Sequence, residues 1–159
     1  MIRLFAAVAV PFDIAEALHV TLAFYGEVPE PQADDLAAEL VRARVDPFEL
    51  KLSGVGAFGD GHRSRALWAG VAPCEALSIL AGRCRAAGLR AGIAMEARDY
   101  RPHVTLAYLR GAEEDRVGAW ITNHNLLESP SFRVDRFGLY ASVLTDQGSH
   151  YTLEREHLL

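Results

Sequence analysis

One hexapeptide occurs twice in this chain with a single difference. It reads HVTLAF at residues 19–24 and HVTLAY at residues 103–108. Both copies are short, rich in apolar residues and alternating in pattern, which predicts a β-strand in each place. Because side chains alternate across a strand, the histidine and the threonine of each copy share one face, and the valine and leucine share the other. A chain with the same strand in both halves is predicted to fold as a duplicated structure with two lobes.

The remaining sequence contains further strand and helix patterns in both halves. We therefore predict an α+β fold over residues 1–159, in one two-lobed domain with a pseudo-twofold repeat and motif strands at 19–25 and 103–109. Gly88 is expected to end the helix predicted at 73–87. The predicted strands are 1–10, 19–25, 48–58, 65–71, 93–96, 103–109, 132–144 and 150–154, and the predicted helices are one or two turns within 12–18, then 32–44, 73–87 and 113–123.

Charge and composition exclude several classes of protein. The net charge is −5, which argues against a protein that coats long nucleic acid through phosphate neutralisation. The longest apolar run, at Leu4–Val10, is too short to cross a membrane, and no signal peptide is recognised. Cys74 and Cys84 lie ten positions apart in one predicted helix, too far apart for a disulfide. We expect two reduced thiols, a cytoplasmic location and no membrane partner.

The repeated motif predicts acid–base chemistry on a phosphodiester. If the two lobes face one cleft, His19 and His103 can supply a neutral base and a charged acid near neutral pH. Thr21 and Thr105 can donate hydrogen bonds to the phosphate oxygens as charge develops. A metal site is the competing interpretation, but each motif offers one imidazole and no second ligand at the usual spacing. We therefore predict that no metal is needed.

With its paired His-x-Thr motifs, the sequence resembles the two-histidine phosphoesterases. It looks most like the LigT-like or ThpR-like branch, the RNA 2′,3′-cyclic phosphodiesterases once called 2′-5′ RNA ligases. The resemblance implies a bilobal α+β fold with antiparallel sheets around a central cleft, helices outside and no cofactor. It also implies that a 2′,3′-cyclic phosphate is hydrolysed to a 2′-phosphate. The segments that carry the resemblance are RLFAAVAVP near the start, LHVTLAFYGEV at 18–28, RALWAGV at 65–71, RPHVTLAYLR at 101–110 and FGLYASVLTDQGSHYTLEREHLL at the end.

The same resemblance assigns roles to the motif residues. His19 matches the family's proton donor, and His103 matches its proton acceptor. Thr21 and Thr105 match the threonines that contact phosphate. Arg101 precedes Pro102-His103 and is a further candidate for phosphate binding, with an ordinary surface arginine as the alternative. Its charge would favour the neutral form of His103, which suits a base.

The chain departs from the family between the first strand and the first motif. Family members usually have a longer helix and loop there, whereas only residues 11–18 fill the interval here. A parallel crossover normally needs a dozen or more residues. Either part of the helix has been lost or a stretch is missing from the sequence, and substrate reach would change with it.

Other side chains could contact a base or a phosphate. Tyr25, Phe58 and Tyr108 could stack on a base, although core packing is the alternative for each. Trp68 is expected in the core, and His62 is expected in a solvated loop.

Three functions are compatible with these features. The first is hydrolysis of RNA 2′,3′-cyclic phosphate ends, with reversible 2′-5′ joining as a further capability. The second is a phosphodiesterase for a small cyclic nucleotide, and the third is a non-catalytic module that binds RNA or nucleotide. The expected partners are RNA 3′ ends or small cyclic nucleotides, and the expected state is a monomer.

Overall fold

A computed structural model describes residues 1–14, 18–60 and 63–159 of the chain. Within these residues the chain forms strands and helices in alternating groups. Their order is β1 (Ile2–Ala9), β2 (His19–Val28), α1 (Glu30–Leu40), β3 (Phe48–Leu50), β4 (Leu52–Asp60), β5 (Arg63–Val71), α2 (Glu75–Arg90), β6 (His103–Glu113), α3 (Glu114–His124), β7 (Phe132–Val134), β8 (Arg136–Thr145) and β9 (Gly148–Leu158).

Two antiparallel sheets contain the two copies of the motif. The first sheet has the order β2-β1-β8-β9, and the second has the order β4-β5-β6. A short ladder of β3 and β7 is also antiparallel. The motif strands β2 and β6 are each the edge strand of their own sheet, and they contact each other. The predicted α+β class with antiparallel sheets is confirmed.

Helices pack against both main sheets. Helices α1 and α2 pack on each other and on the first sheet, while α3 packs on the second sheet. Apolar residues of β1 and β2, such as Val8 and Val20, are buried in one cluster with Leu36 of α1 and Leu80 of α2. Burial of a side chain of this kind contributes about 1.5–3 kcal/mol. The apolar positions of the motif strands therefore hold the sheet on its helices, which leaves the histidine face for the other side.

One buried hydrogen bond links the first motif strand to α2. The hydroxyl of Tyr25 donates to the carbonyl oxygen of Cys84 over 2.9 Å. Burial raises the pKa of the Cys84 thiol to about 12, so this cysteine is a neutral core residue. Cys74 lies at the residue that precedes α2, and both cysteines are free, as expected.

Several predicted boundaries are wrong. The second helix continues through Gly88 to Arg90, and the left-handed turn lies at Gly92, where φ is +77°. Residues 93–96 form no strand. The strand predicted at 48–58 is interrupted at Lys51, and the one at 132–144 is interrupted at Asp135. In each interrupted case the first piece joins the β3–β7 ladder and the second joins a main sheet, so the change of partner breaks the strand.

The expectation of a parallel crossover before the first motif is also wrong. Strands β1 and β2 are antiparallel neighbours, with Ala9 opposite His19. The backbone N–H of Val10 donates to the carbonyl oxygen of Leu18 over 2.9 Å, which closes the connection at its base. Antiparallel neighbours need only a short connection, so residues 11–18 suffice. Residues 15–17, and the candidate His62, lie outside the described residues.

None of the helices in the described ranges is long and apolar enough to cross a membrane.

Candidate active site

The two motif strands line one cleft between the sheets. His19 and Thr21 reach it from β2, and His103 and Thr105 reach it from β6. The cleft has a volume of about 270 Å³, close to the lower limit of typical small-molecule sites. Two imidazoles and two hydroxyls, separated widely in the sequence, therefore meet in one space.

His19 is surrounded by aromatic rings of its own sheet. Its ring centroid lies 4.8 Å from that of Tyr140, 5.5 Å from that of Tyr151 and 6.0 Å from that of Phe5, each in an edge-on arrangement. Tyr140 also stacks on Phe5 at 5.4 Å. Burial among these rings lowers the pKa of His19, because an apolar environment disfavours the imidazolium. A cationic His19 in this cage is therefore a strong proton donor.

His103 has a different environment. Its Nδ1 lies 2.7 Å from the backbone carbonyl oxygen of Arg101. A carbonyl only accepts, so Nδ1 carries the proton, and in the neutral ring Nε2 is left as an acceptor. The ring also contacts Phe58 at 4.8 Å and Trp68 at 6.4 Å between centroids. This tautomer is the one that a general base requires at Nε2.

Trp68 lies beside the second histidine rather than in the core. It is half-buried and packs on Phe58 at 5.5 Å between ring centroids. Its ring passes over Gly56, where a Cβ atom would come within 2.2 Å of the indole. The absence of a side chain at Gly56 thus allows the indole to approach the backbone and support His103.

The threonines occupy equivalent ladder positions. Thr21 is opposite Ala7 of β1, and Thr105 is opposite Trp68 of β5. The backbone carbonyl of Thr21 also accepts a hydrogen bond of 2.9 Å from the hydroxyl of Tyr100. This contact ties the first motif strand to the segment that leads into the second motif.

Arg101 is the one predicted site residue that does not line the cleft. It is exposed, and its contact with His103 is made by the backbone carbonyl. The structure therefore does not support the expected role of the Arg101 charge beside His103. A different arginine, Arg3 of β1, lines the cleft, with its guanidinium 5.2 Å from the centre of the Phe24 ring.

A β-bulge occurs at the same place in both motifs. Thr21 and Ala23 are opposite consecutive residues of β1, so Leu22 is the extra residue. Thr105 and Ala107 are likewise opposite consecutive residues of β5, so Leu106 is the extra residue. A bulge reverses the alternation of side chains beyond it. The sixth motif residue therefore joins the histidine and the threonine on the cleft face.

The bulges correct the expected positions of several aromatic residues. Simple alternation along β2 would put Phe24 with Val20 and Leu22 on the helix-packed face, yet Phe24 lines the cleft and is 44% exposed. Tyr25, a candidate for base stacking, is instead buried against α2. Tyr108 lines the cleft and is 76% exposed, so the alternative of core packing does not hold for it.

Several cleft residues could not be found from a motif. Phe5 and Arg3 follow the alternation of β1, but nothing local marks that strand as the neighbour of β2. The others lie on β8 and β9, near the end of the chain. These strands come to the side of β1 only when the sheet folds. This group is Ser142, Ser149 and Tyr151, which line the cleft, and Tyr140, whose ring contacts His19. Among the described residues, no three His, Cys, Asp or Glu side chains lie close enough to hold a metal ion.

Comparison with known proteins identifies the family. The sequence model of the 2′-5′ RNA ligase superfamily matches residues 11–145. The RNA 2′,3′-cyclic phosphodiesterase of Aeropyrum pernix is 33% identical over 138 residues, which are 86% of this chain and 78% of that protein. The Escherichia coli protein of the same name is 34% identical over 139 residues, which are 87% of this chain and 73% of that protein.

Solved structures agree with the sequence comparison. The crystal structure of E. coli LigT complexed with 3′-AMP superposes with a TM-score of 0.80 at 30% identity, and covers 99% of this chain and 98% of that one. The apo form of the same protein has a TM-score of 0.79, with 99% and 97% covered. The fold, the facing motif strands and these relatives lead to one assignment: the chain belongs to the 2′-5′ RNA ligase superfamily.

Proposed function

We propose that this protein is an RNA 2′,3′-cyclic phosphodiesterase that converts a terminal cyclic phosphate to a 2′-phosphate. The observation that carries the proposal is the meeting of His19, Thr21, His103 and Thr105 in one cleft, on facing edge strands. The relatives that bear this activity in their names match most of the chain.

In the proposed mechanism, His103 is the general base. Its Nε2 takes a proton from water, and the water oxygen forms a bond to phosphorus. The hydrogen bond from Nδ1 to the Arg101 carbonyl supports this role, because it leaves Nε2 as the acceptor in the neutral ring. The bond from phosphorus to the 3′-oxygen breaks in line with the attack.

His19 is the proposed general acid and gives its proton to the departing 3′-oxygen. Burial lowers its pKa in the free protein, so the cation needs help to form. The negative charge of a bound phosphate supplies that help, since an adjacent opposite charge favours the protonated ring. Substrate binding would thus charge an acid that then gives up its proton readily.

The remaining cleft groups stabilise the phosphate. The hydroxyls of Thr21 and Thr105 donate to its non-bridging oxygens, where negative charge accumulates. Arg3 adds positive charge at the cleft. Arg101 stays a prediction, and its exposed side chain would have to turn toward the cleft to take part.

We propose further that residues 1–159 act as one two-lobed domain with a pseudo-twofold relation between the motif strands. The common bulge and the equivalent order of histidine, threonine and aromatic residue support this relation. We expect a monomer, because both motifs come from one chain. Two free cysteines fit a reducing compartment, so the cytoplasm stays the proposed location.

A small cyclic nucleotide is the second candidate substrate. A cleft of about 270 Å³ is small for a binding site, which favours a short ligand over long RNA. The net charge of −5 also disfavours long nucleic acid.

One assay tests the proposed activity. An oligonucleotide with a 2′,3′-cyclic phosphate end and a cyclic mononucleotide are each incubated with the protein in the presence of a chelator, and the products are identified by phosphorus NMR. We expect both to be opened to a 2′-phosphate without added metal. A dominant 3′-phosphate would reverse the proposed substrate orientation, and loss of turnover on chelation with recovery on adding zinc would refute the metal-free mechanism.

A further inference from the structure

The two copies of the motif differ only at their sixth residue, and the fold brings this position to the cleft in both. The bulges at Leu22 and Leu106 turn Phe24 and Tyr108 onto the same faces as the catalytic histidines. Without them, alternation would direct both rings away from the cleft. Each lobe therefore presents one aromatic ring beyond its threonine, on the side away from its histidine.

Both rings leave a large part of their surface open to solvent. Tyr108 is 76% exposed and Phe24 is 44% exposed. Arg3 contacts one of them, with its guanidinium 5.2 Å from the Phe24 ring centre. An exposed aromatic ring beside a phosphate site is the surface on which a nucleobase stacks, and a neighbouring arginine adds to that surface.

We propose that Phe24 and Tyr108 receive two different nucleosides, one on each side of the phosphate. This inference rests on the proposed function. The departing 3′-oxygen is protonated by His19, so the ribose that carries it lies toward β2, the strand that also brings Phe24 to the cleft. The attacking oxygen lies on the opposite side, toward His103 and β6. A nucleoside that supplies the attacking oxygen therefore places its base at Tyr108.

The consequence is a site built for a 5′-hydroxyl nucleoside as well as for water. In the joining direction the 5′-oxygen forms a bond to phosphorus, and its proton goes to Nε2 of His103. The bond from phosphorus to the 3′-oxygen breaks, and His19 protonates that oxygen. The product is a 2′-5′ phosphodiester between two nucleosides. Tyr108 is a specificity residue for the second nucleoside, whereas Phe24 serves the nucleoside common to both reactions.

The test compares two inhibitors of cyclic mononucleotide hydrolysis. One is a 2′-5′-linked diadenosine monophosphate, and the other is adenosine 2′-monophosphate, which lacks the second nucleoside. Tyr108→Ala should raise the inhibition constant of the dinucleoside by roughly 5- to 150-fold, the usual cost of losing one base-stacking ring. It should raise that of the mononucleotide much less. Phe24→Ala should raise both constants by similar factors.

Matched variants separate stacking from other effects. Tyr108→Phe keeps the ring and should bind the dinucleoside as the natural protein does. Leu126→Ala removes a 90% exposed apolar side chain outside the cleft lining and should change neither constant. Equal weakening of both inhibitors by Tyr108→Ala, or no weakening of either, would overturn the assignment of Tyr108 to a second nucleoside.

The outcome is separable from that of the proposed function. If the natural protein opens no cyclic phosphate, the proposed function fails. Calorimetric binding of the same two ligands to the same variants then measures the stacking contribution directly. A selective loss of dinucleoside affinity in Tyr108→Ala would still support the second nucleoside site, and an unselective result would reject it.

Discussion

The same five residues, HVTLA, begin β2 and β6, yet the two histidines have different surroundings. His19 lies against three aromatic rings from β1, β8 and β9, and burial lowers its pKa. His103 has two ring neighbours and a backbone carbonyl that accepts from its Nδ1. An identical local sequence can therefore hold two imidazoles in different environments, because the neighbouring strands set the surroundings of each ring. The proposed division into an acid and a base depends on this difference.

The largest effects are expected when either histidine is removed. His19→Ala and His103→Ala should each lower kcat/KM by about 10²–10⁴-fold, the usual contribution of a general acid or base. The double variant should lose much less than the product of the two factors, because the pair acts as a unit. Steady-state kinetics on a cyclic mononucleotide would measure all three. A folded His19→Ala protein with near-normal activity would show that only the second half is catalytic.

Smaller and more equal effects are expected at the threonines. Thr21→Val and Thr105→Val keep the side-chain shape but remove a donor to a charged oxygen, so each should lower kcat/KM by about 10- to 150-fold. Serine at either position keeps the hydroxyl and should restore most of the activity. If only one valine variant is impaired, the phosphate is held mainly by one lobe, and the symmetric description of the cleft is wrong.

The smallest effect concerns stability and distinguishes the two halves by pH. The folded-state pKa of His19 lies below the ordinary value of 6.5, so the folded protein binds this proton less readily than the unfolded chain. Burial of neutral His19 therefore costs no stability above pH 6.5. As the pH falls from there toward the folded-state pKa, the unfolded chain takes up the proton first and the free energy of unfolding decreases. Solvent around a half-buried ring keeps the effect small.

Urea unfolding of the natural protein and of His19→Gln, from about pH 8 to about pH 5, would measure this loss. We expect the unfolding midpoint of the natural protein to fall more steeply with decreasing pH than that of the variant. His157, whose pKa is also lowered by burial, is present in both proteins and contributes equally. Parallel curves would mean that the aromatic cage does not disfavour the charged form of His19.

The candidate site was predictable to the extent that it depends on the repeat. Period-2 alternation is enough to place His19 with Thr21 and His103 with Thr105, because these pairs precede the bulges. It fails at Phe24, three residues beyond Thr21, because a bulge depends on the partner strand and carries no clear mark in one sequence. The helix predicted to end at Gly88 fails for a related reason, since packing continued it to Arg90.

Local sequence was enough to predict the class of the fold, the two motif strands and the four polar groups that meet in the cleft. These depend on local periodicity and on repetition, which a single chain displays. The folded sheets set which rings surround His19, which tautomer His103 adopts and which faces Phe24 and Tyr108 occupy. Each of these depends on strand order and ladder register, which are set by burial of the whole sheet against its helices and neighbouring strands.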